Sequence, residues 1–246
     1  MRCQPRYKGP VYIWLKNKQS CLLCDEATDT LIPICTPCET ELPWLGDHCQ
    51  VCALPLPMAG LTCGQCLKRP PAFGQVVVPF TYGFPVDSLI TRFKHGAKWP
   101  FGRMLAELLE QSLHHRFADD LDRPDRLIPV PLATQRLRRR GFNQAAMLAR
   151  WLSTGLELPV DETLVVRTQD APAQQDLNAE ARKRNLRHAF ALTPEVTVKG
   201  LHLALVDDVL TTGATAQALA HLLMEAGAAR VDVYCLARTP KPGDTV

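Results

Sequence analysis

Apolar positions along this chain fall into short unbroken runs separated by longer amphipathic stretches. Arg126-Leu-Ile-Pro-Val-Pro131, Leu201 to Val206 and Val231 to Leu236 show little alternation, as expected for strands buried on both faces of a parallel sheet. Val76 to Tyr82 reads as a further strand and Thr163 to Val166 as a weak one. Between them, helical spacing of apolar residues marks Val86 to Lys94, Phe101 to His115, a helix opening at Arg136 and running to about Leu156, and Ala216 to Gly227. Strands alternating with helices predict an α/β fold: an open parallel sheet flanked by helices and joined by right-handed crossovers. Arg167 to Arg187 is polar and basic, and Phe190 resumes apolar character.

The N-terminal third is organised by cysteine rather than by periodicity. Eight of the ten cysteines form four knuckles, Cys21-x-x-Cys24, Cys35-x-x-Cys38, Cys49-x-x-Cys52 and Cys63-x-x-Cys66, with ten residues between successive knuckles. The stretch from Cys21 to Cys38 repeats as Cys49 to Cys66 with an offset of 28 residues. Two knuckles supply the tetrahedral S₄ shell that Zn²⁺ prefers, so a double zinc ribbon with two structural zinc sites is expected. The repeat favours tandem pairing, although equal spacing leaves a cross-braced pairing open. Cys3 lies in the terminus, and Cys235, inside an apolar run, reads as a small core residue. The expected organisation is a basic arm at residues 1–20, a double zinc ribbon at 21–68, the linker Lys68-Arg-Pro-Pro71, and an α/β domain at 73–246.

Charge sharpens this division. Residues 1–20 hold five basic and no acidic side chains, residues 21–66 six acidic and no Lys or Arg, and the remainder 23 basic and 19 acidic. An acidic ribbon with metal–thiolate centres would repel a phosphate backbone, which argues against the ribbon as a nucleic-acid surface. The apolar run Val11 to Leu15 is too short for a secretory core or a membrane span, so a cytoplasmic location is expected. There, abundant cysteine argues for metal rather than disulfides. The seven histidines show no metal-ligand spacing.

The densest chemistry is Val206-Asp207-Asp208-Val-Leu-Thr211-Thr212-Gly213-Ala214-Thr215. It places two carboxylates at the end of a buried strand, then a hydroxyl-rich turn, then a helix. Ligands in open α/β sheets bind beyond the carboxyl ends of strands, where helix N-termini present N–H groups to anions. Thr211, Thr212, Gly213 and Thr215 would wrap a phosphate, and Asp207 and Asp208 would repel it unless they hold a vicinal diol or Mg²⁺. Together these describe a ribose 5-phosphate.

That string resembles the PRPP-binding motif of type I phosphoribosyltransferases. Val130-Pro-Leu132 followed by Arg139-Arg-Gly-Phe-Asn-Gln144, and the later Gln174-x-x-Leu177-x-x-x-x-Arg182-x-x-Asn185-x-x-x-Ala189-Phe190, resemble the ComF family, which includes the GntX-type DNA-utilization proteins. The resemblance implies a type I phosphoribosyltransferase-like sheet domain behind a double zinc ribbon. It further implies PRPP, with Mg²⁺, bound at Asp207, Asp208, Thr211, Thr212, Gly213, Ala214 and Thr215. Lys94, Arg140, Asn143, Gln144, Gln174, Arg182 and Asn185 become candidates for the pyrophosphate site and its closing lid. Arg suits bidentate phosphate contacts, and a basic lid would exclude water. No general base is recognisable, because Thr211 stands where some nucleobase-salvage enzymes carry Asp. Three functions remain: transfer of ribose 5-phosphate to an unidentified acceptor, a PRPP-responsive binding module, and handling of single-stranded DNA with protein partners of a DNA-uptake apparatus. For DNA, the basic face from Arg136 to Arg140 and Arg182 to Arg187 is the expected surface, helped by the arm with Tyr12 and Trp14.

Overall fold

The two longest apolar runs form the centre of the sheet, because strands covered on both faces have no polar side to offer water. The structure, a computed structural model, describes residues 19–28, 30–168, 189–194 and 197–241. The chain divides into two compact units, Met1–Glu41 and Leu42–Val246.

The first unit contains a short antiparallel pair, β1 (Gln19–Ser20) and β2 (Ala27–Thr28), and one turn of helix, α1 (Thr36–Thr40). In the second unit, α2 (Gly64–Lys68) closes a second cysteine loop. The α/β layer follows with β3 (Val76–Val77), β4 (Phe80–Thr81), α3 (Val86–Gly96), α4 (Trp99–Asp119), β5 (Arg126–Pro129), α5 (Thr134–Arg140) and α6 (Gln144–Leu156). It ends with β6 (Val165–Arg167), β7 (Phe190–Leu192), β8 (His202–Leu210), α7 (Ala214–Glu225) and β9 (Arg230–Arg238). The main sheet runs β3-β9-β8-β5 with β4 also on β9, and every pair in it is parallel. β6 and β7 form a separate antiparallel pair.

Alternation assigns the two faces. Leu203 and Leu205 of β8 and Val231, Val233 and Cys235 of β9 share a buried cluster with Leu219, Ala220 and Leu223 of α7. The opposite face meets α4, where the ring of Tyr234 lies 6.5 Å from that of Phe117.

Two features depart from the expected elements. The strand Val76 to Tyr82 is split, because Pro79 has no N–H for a ladder bond. The single helix from Arg136 to Leu156 is two: Gly141, at φ +84°, ends α5 in the left-handed conformation. Asn143 then restarts α6 as its N-cap, its Oδ1 accepting from Ala145 N at 3.0 Å.

The cysteines pair in tandem. Cys21, Cys24, Cys35 and Cys38 converge in the first unit and Cys49, Cys52, Cys63 and Cys66 in the second, the sulfurs of each set within 4.8 Å of one another. Zn–S bonds of about 2.3 Å in a tetrahedron separate sulfurs by roughly 3.8 Å. The Cys24–Cys35 and Cys52–Cys63 sulfurs lie 3.6 and 3.7 Å apart, so both donor sets fit zinc. Burial raises the pKa of Cys21 and Cys49, but backbone N–H donors outweigh it and bring them down to about 6 and about 7. Cys38 and Cys66 are pushed up by desolvation and neighbouring thiols, and would ionise only with a cation at the centre.

The second ribbon half packs into the α/β domain. Ala53 is fully buried in the cluster that contains Leu205, Leu210, Ala216 and Cys235, and Leu45, Val51 and Cys52 pack against it. Main-chain bonds fasten the same region: Leu45 N donates to Pro79 O and Thr81 N to Pro43 O, both at 2.8 Å.

At the amino end of the sheet, Asp232 is fully buried and accepts from Gln75 N at 3.1 Å and Arg230 Nε at 3.1 Å, with His202 Nε2 2.9 Å from its other oxygen. It clips β3 to β8 and β9. Asp232→Ala leaves Arg230 and His202 without their buried partner, and is expected to cost about 3–5 kcal/mol in urea denaturation. The tandem clusters predict two zinc ions per chain by elemental analysis and none in the Cys21→Ser/Cys49→Ser double variant, whereas cross-braced pairing would leave that variant one.

Candidate functional site

The site lies beyond the carboxyl ends of β8 and β5, where α3, α5 and α7 also end or begin. Pairing of β8 with β9 continues to Leu210, so Asp207 and Asp208 sit within the last turn of the ladder rather than after it. Asp208 is 5% exposed and Asp207 half-buried. Asp207 Oδ1 accepts from Asp208 N at 2.8 Å. Desolvation first, and then the charge of Asp208, push the Asp207 carboxyl up to about 7. Its accessible part is small against the protein atoms crowding the rest.

Lys94, near the end of α3, faces the pair, its Nζ 2.9 Å from Asp208 Oδ2. The contact is an ion pair but is out of line for a hydrogen bond, so this buried oxygen has no hydrogen-bond partner among the described residues. An oxygen left in that state fits a ligand hydroxyl or a hard cation. Close packing holds Lys94 in place: Phe93, fully buried, lies over Gly102 of α4, where an added Cβ would meet the Phe93 ring at 2.6 Å.

The Arg-Gly-Phe-Asn-Gln segment is the corner that aims Arg140 toward the acids. Phe142 packs on Phe93 and Trp99, with ring centroids 5.6 and 6.3 Å apart. Asn143 Nδ2 donates to Val130 O at 3.0 Å, tying the start of α6 to the end of β5. Gln144, buried, accepts from Arg140 Nη1. Asn143 and Gln144 thus build and brace the corner. Burial lowers the Arg140 pKa and Arg136 and Arg139 lower it further, against the opposing pull of Asp208. Arg136, Arg139 and Arg140 line a cavity of about 230 Å³ together with Lys94 and His95. Among the described residues the lining holds four cations and no carboxylate, a charge that suits an anion.

The turn after β8 is open. Gly213 adopts φ +75°, and nothing lies within 4 Å of where its Cβ would be, so its left-handed backbone, not crowding, demands glycine. Thr212 Oγ1 accepts from Ala214 N at 3.4 Å, and the first helical bond runs from Gln217 N to Gly213 O at 2.8 Å. The N–H groups of Thr215 and Ala216 precede that bond and lack intrahelical acceptors. Thr211 and Thr212 are exposed and Thr215 half-buried. The structure therefore brings together Asp207, Asp208, the 211–215 turn, Lys94 and Arg140. Gln174, Arg182 and Asn185 lie outside the described residues.

Arg238, the last residue of β9, was not among the expected site residues. It is 7% exposed, and its Nη1 donates to Leu210 O at 3.0 Å, Thr239 O at 2.8 Å and Thr211 O, the carbonyls from which the turn departs. Its sequence signal is a charged residue closing an otherwise apolar run, which implies a waiting set of acceptors.

Residues 138–245 match the phosphoribosyl transferase domain family and residues 18–67 the double zinc ribbon domain family. The DNA utilization protein YhgH of Shigella flexneri is 41% identical over 220 residues, 89% of this chain and 90% of that protein. Competence protein F of Haemophilus influenzae is 34% identical over 208 residues, 84% of this chain and 85% of that protein. Among solved structures, a purine phosphoribosyltransferase from Pyrococcus horikoshii covers 57% of this chain and 76% of that chain at a TM-score of 0.35 and 18% identity. Among the described residues, no helix is long and apolar enough to cross a membrane. With relatives of this identity and coverage, the chain belongs to the ComF family of competence and DNA-utilization proteins, a double zinc ribbon joined to a phosphoribosyltransferase domain.

Proposed function

We propose that the chain binds PRPP with Mg²⁺ between the acid pair, the 211–215 turn and the cationic cavity, and transfers its ribose 5-phosphate to an acceptor during uptake or nutritional use of DNA, in the cytoplasm. The observation that carries this reading is that Lys94 Nζ lies 2.9 Å from Asp208 Oδ2, with Arg140 within the field of the same carboxylate, beside a helix start with free N–H groups. A simple phosphate would use the turn and leave the acids repelling it. PRPP presents a 5-phosphate to the turn, a diol to the carboxylates and a pyrophosphate to the cations. Mg²⁺, when bound with PRPP, would neutralise the leaving pyrophosphate. Arg140 and Lys94 would hold that group in line for departure, and the buried acids would accept the ribose hydroxyls.

The absence of a carboxylate at position 211 supports a second reading, a PRPP-responsive module that handles single-stranded DNA without turnover. Arg136, Arg138 and Arg139 are exposed on α5 and suit a phosphate backbone. Protein partners of a DNA-uptake apparatus fit either reading.

Calorimetry separates PRPP binding from its alternatives. Asp207→Asn/Asp208→Asn is expected to lose about 1.5–3 kcal/mol for each charge-assisted bond while keeping the circular-dichroism spectrum of the wild type. Unchanged affinity would refute the site. Pyrophosphate release from PRPP in a metabolite mixture then distinguishes transfer from binding alone.

Because the Asp207 carboxyl is held up to about 7, the free protein is partly protonated there at neutral pH. A ligand that prefers the carboxylate releases that proton. PRPP affinity is therefore expected to rise as pH increases from 6 to 7 and to level off above, by up to about tenfold per unit. Titrations in buffers of different ionisation enthalpy should show proton release at pH 6.5, reduced in Asp207→Asn.

A further inference from the structure

Arg238 touches two regions that the sequence keeps far apart. Its Nε donates to the carbonyl of Cys52, a ligand of the second cysteine cluster and 186 residues away, at 2.9 Å. Its Nη1 donates to Leu210, Thr211 and Thr239 carbonyls. Among the described residues it makes no ion pair, and the acceptors of its Nε and Nη1 are all main-chain carbonyls. Burial of such a cation is tolerable only while those acceptors stay in place. The guanidinium is planar, so its Nε and Nη1 donors move as one rigid fork. A shift of the Cys52 carbonyl tilts the donors that hold Leu210 and Thr211.

The Cys52 carbonyl belongs to a turn made by the metal ligands. Ala53 N donates to Cys49 O at 2.9 Å, and Ala53, at φ +54° and fully buried, fixes the turn in the cluster that includes Leu210 and Ala216. Cys49, Cys63 and Cys66 pack with Leu54 in a satellite cluster whose convergent thiols need a central cation to stay together. One hydrogen bond therefore separates a metal ligand from Arg238, and one more separates Arg238 from the turn that starts the phosphate loop. The first cysteine cluster belongs to the other compact unit, Met1–Glu41.

We propose that Arg238 is a positioning residue through which the second four-cysteine cluster and the 211–215 loop order together, so that zinc at Cys49, Cys52, Cys63 and Cys66 strengthens sugar-phosphate binding and a bound sugar phosphate retains that zinc. The ligand half rests on the PRPP-site reading above; the loop-ordering half does not. Linkage makes the two effects equal in size.

Three measurements test this. In wild-type protein, zinc is withdrawn with a chromogenic chelator while hydrogen exchange is followed in a peptide spanning Leu210 to Gln217. Loop protection should fall with the loss of one of the two ions, and protection that survives loss of both overturns the proposal. In Arg238→Lys, which keeps the charge and loses the fork, one zinc should leave about tenfold faster and the loop should exchange several-fold faster. Release of both ions at wild-type rates, or equal acceleration of both, overturns it. Should Arg238→Lys fail to fold, Cys66→Ser, which loses the same zinc with Arg238 intact, takes its place. Its loop must exchange faster than that of Cys24→Ser, which loses the other zinc, and equal rates overturn the proposal. Finally, ribose 5-phosphate should slow release of one zinc in the wild type. If ribose 5-phosphate and PRPP do not bind at all, the site reading fails, while exchange and zinc release still decide the coupling.

Discussion

The register in which β8 pairs with β9, from His202 opposite Arg230 to Leu210 opposite Arg238, places almost every polar group that matters. It leaves the middle of both strands apolar and gathers charge at the two ends. At the amino end it sets Asp232 within reach of His202; at the carboxyl end it sets Asp207 opposite Cys235 and brings Arg238 to the Leu210 carbonyl. A slip of β9 by one residue would turn Asp232 and Arg238 to the other face and strip both ends of their partners. Burial on both sides makes that slip prohibitive, so the chemistry inherits its precision from the core.

The carboxyl end is electrostatically incomplete by itself. Two adjacent carboxylates repel, and desolvation raises the cost, as the elevated Asp207 pKa records. Lys94 compensates Asp208 only in part, since its ammonium is close yet misaligned. Across the cavity Arg136, Arg139 and Arg140 crowd one another, with no carboxylate in the lining among the described residues. A ligand carrying hydroxyl donors at one end and concentrated negative charge at the other relieves both frustrations together. Neither an anion nor a neutral sugar would do so alone. The same polarity orients the ligand, because the reverse placement would set phosphate against carboxylate.

Much of this was legible in the chain because it depends on local pattern. Unbroken apolar runs identified the central strands, and the Asp-Asp and Thr-Thr-Gly string marked the open turn and helix start after β8, since its hydroxyls and its glycine are consecutive. Cysteine spacing identified both zinc clusters, though tandem and cross-braced pairings share the same spacing and only convergence in space separates them. Other features were hidden for the same reason. The break at Gly141 looked like a continuing helix, because apolar periodicity persists on both sides of it. Asn143 and Gln144 read as ligand-facing polar residues, whereas one caps α6 and the other braces Arg140. Burial of Ala53 in the sheet-domain core depends on contacts across more than a hundred residues, and no window on the sequence reports those.

The position of Arg238 also resolves a conflict of charge. A zinc ion held by four thiolates carries a formal charge of −2, and residues 42 to 66 of the same unit add the carboxylate of Asp47 and no Lys or Arg. The second cluster lies in the same compact unit as the 211–215 turn, and its Cys52 carbonyl shares a guanidinium with Thr211. Between partly buried groups, repulsion of that size acts with little screening and would oppose any phosphate at the turn. A buried arginine at the junction, with no carboxylate paired to it among the described residues, offsets part of the negative centre on the side of the turn. Lysine could supply the charge but not the simultaneous grip on carbonyls of both partners. The mechanical and the electrostatic requirement therefore fall on one residue, which explains why the end of the most buried strand carries a charge at all.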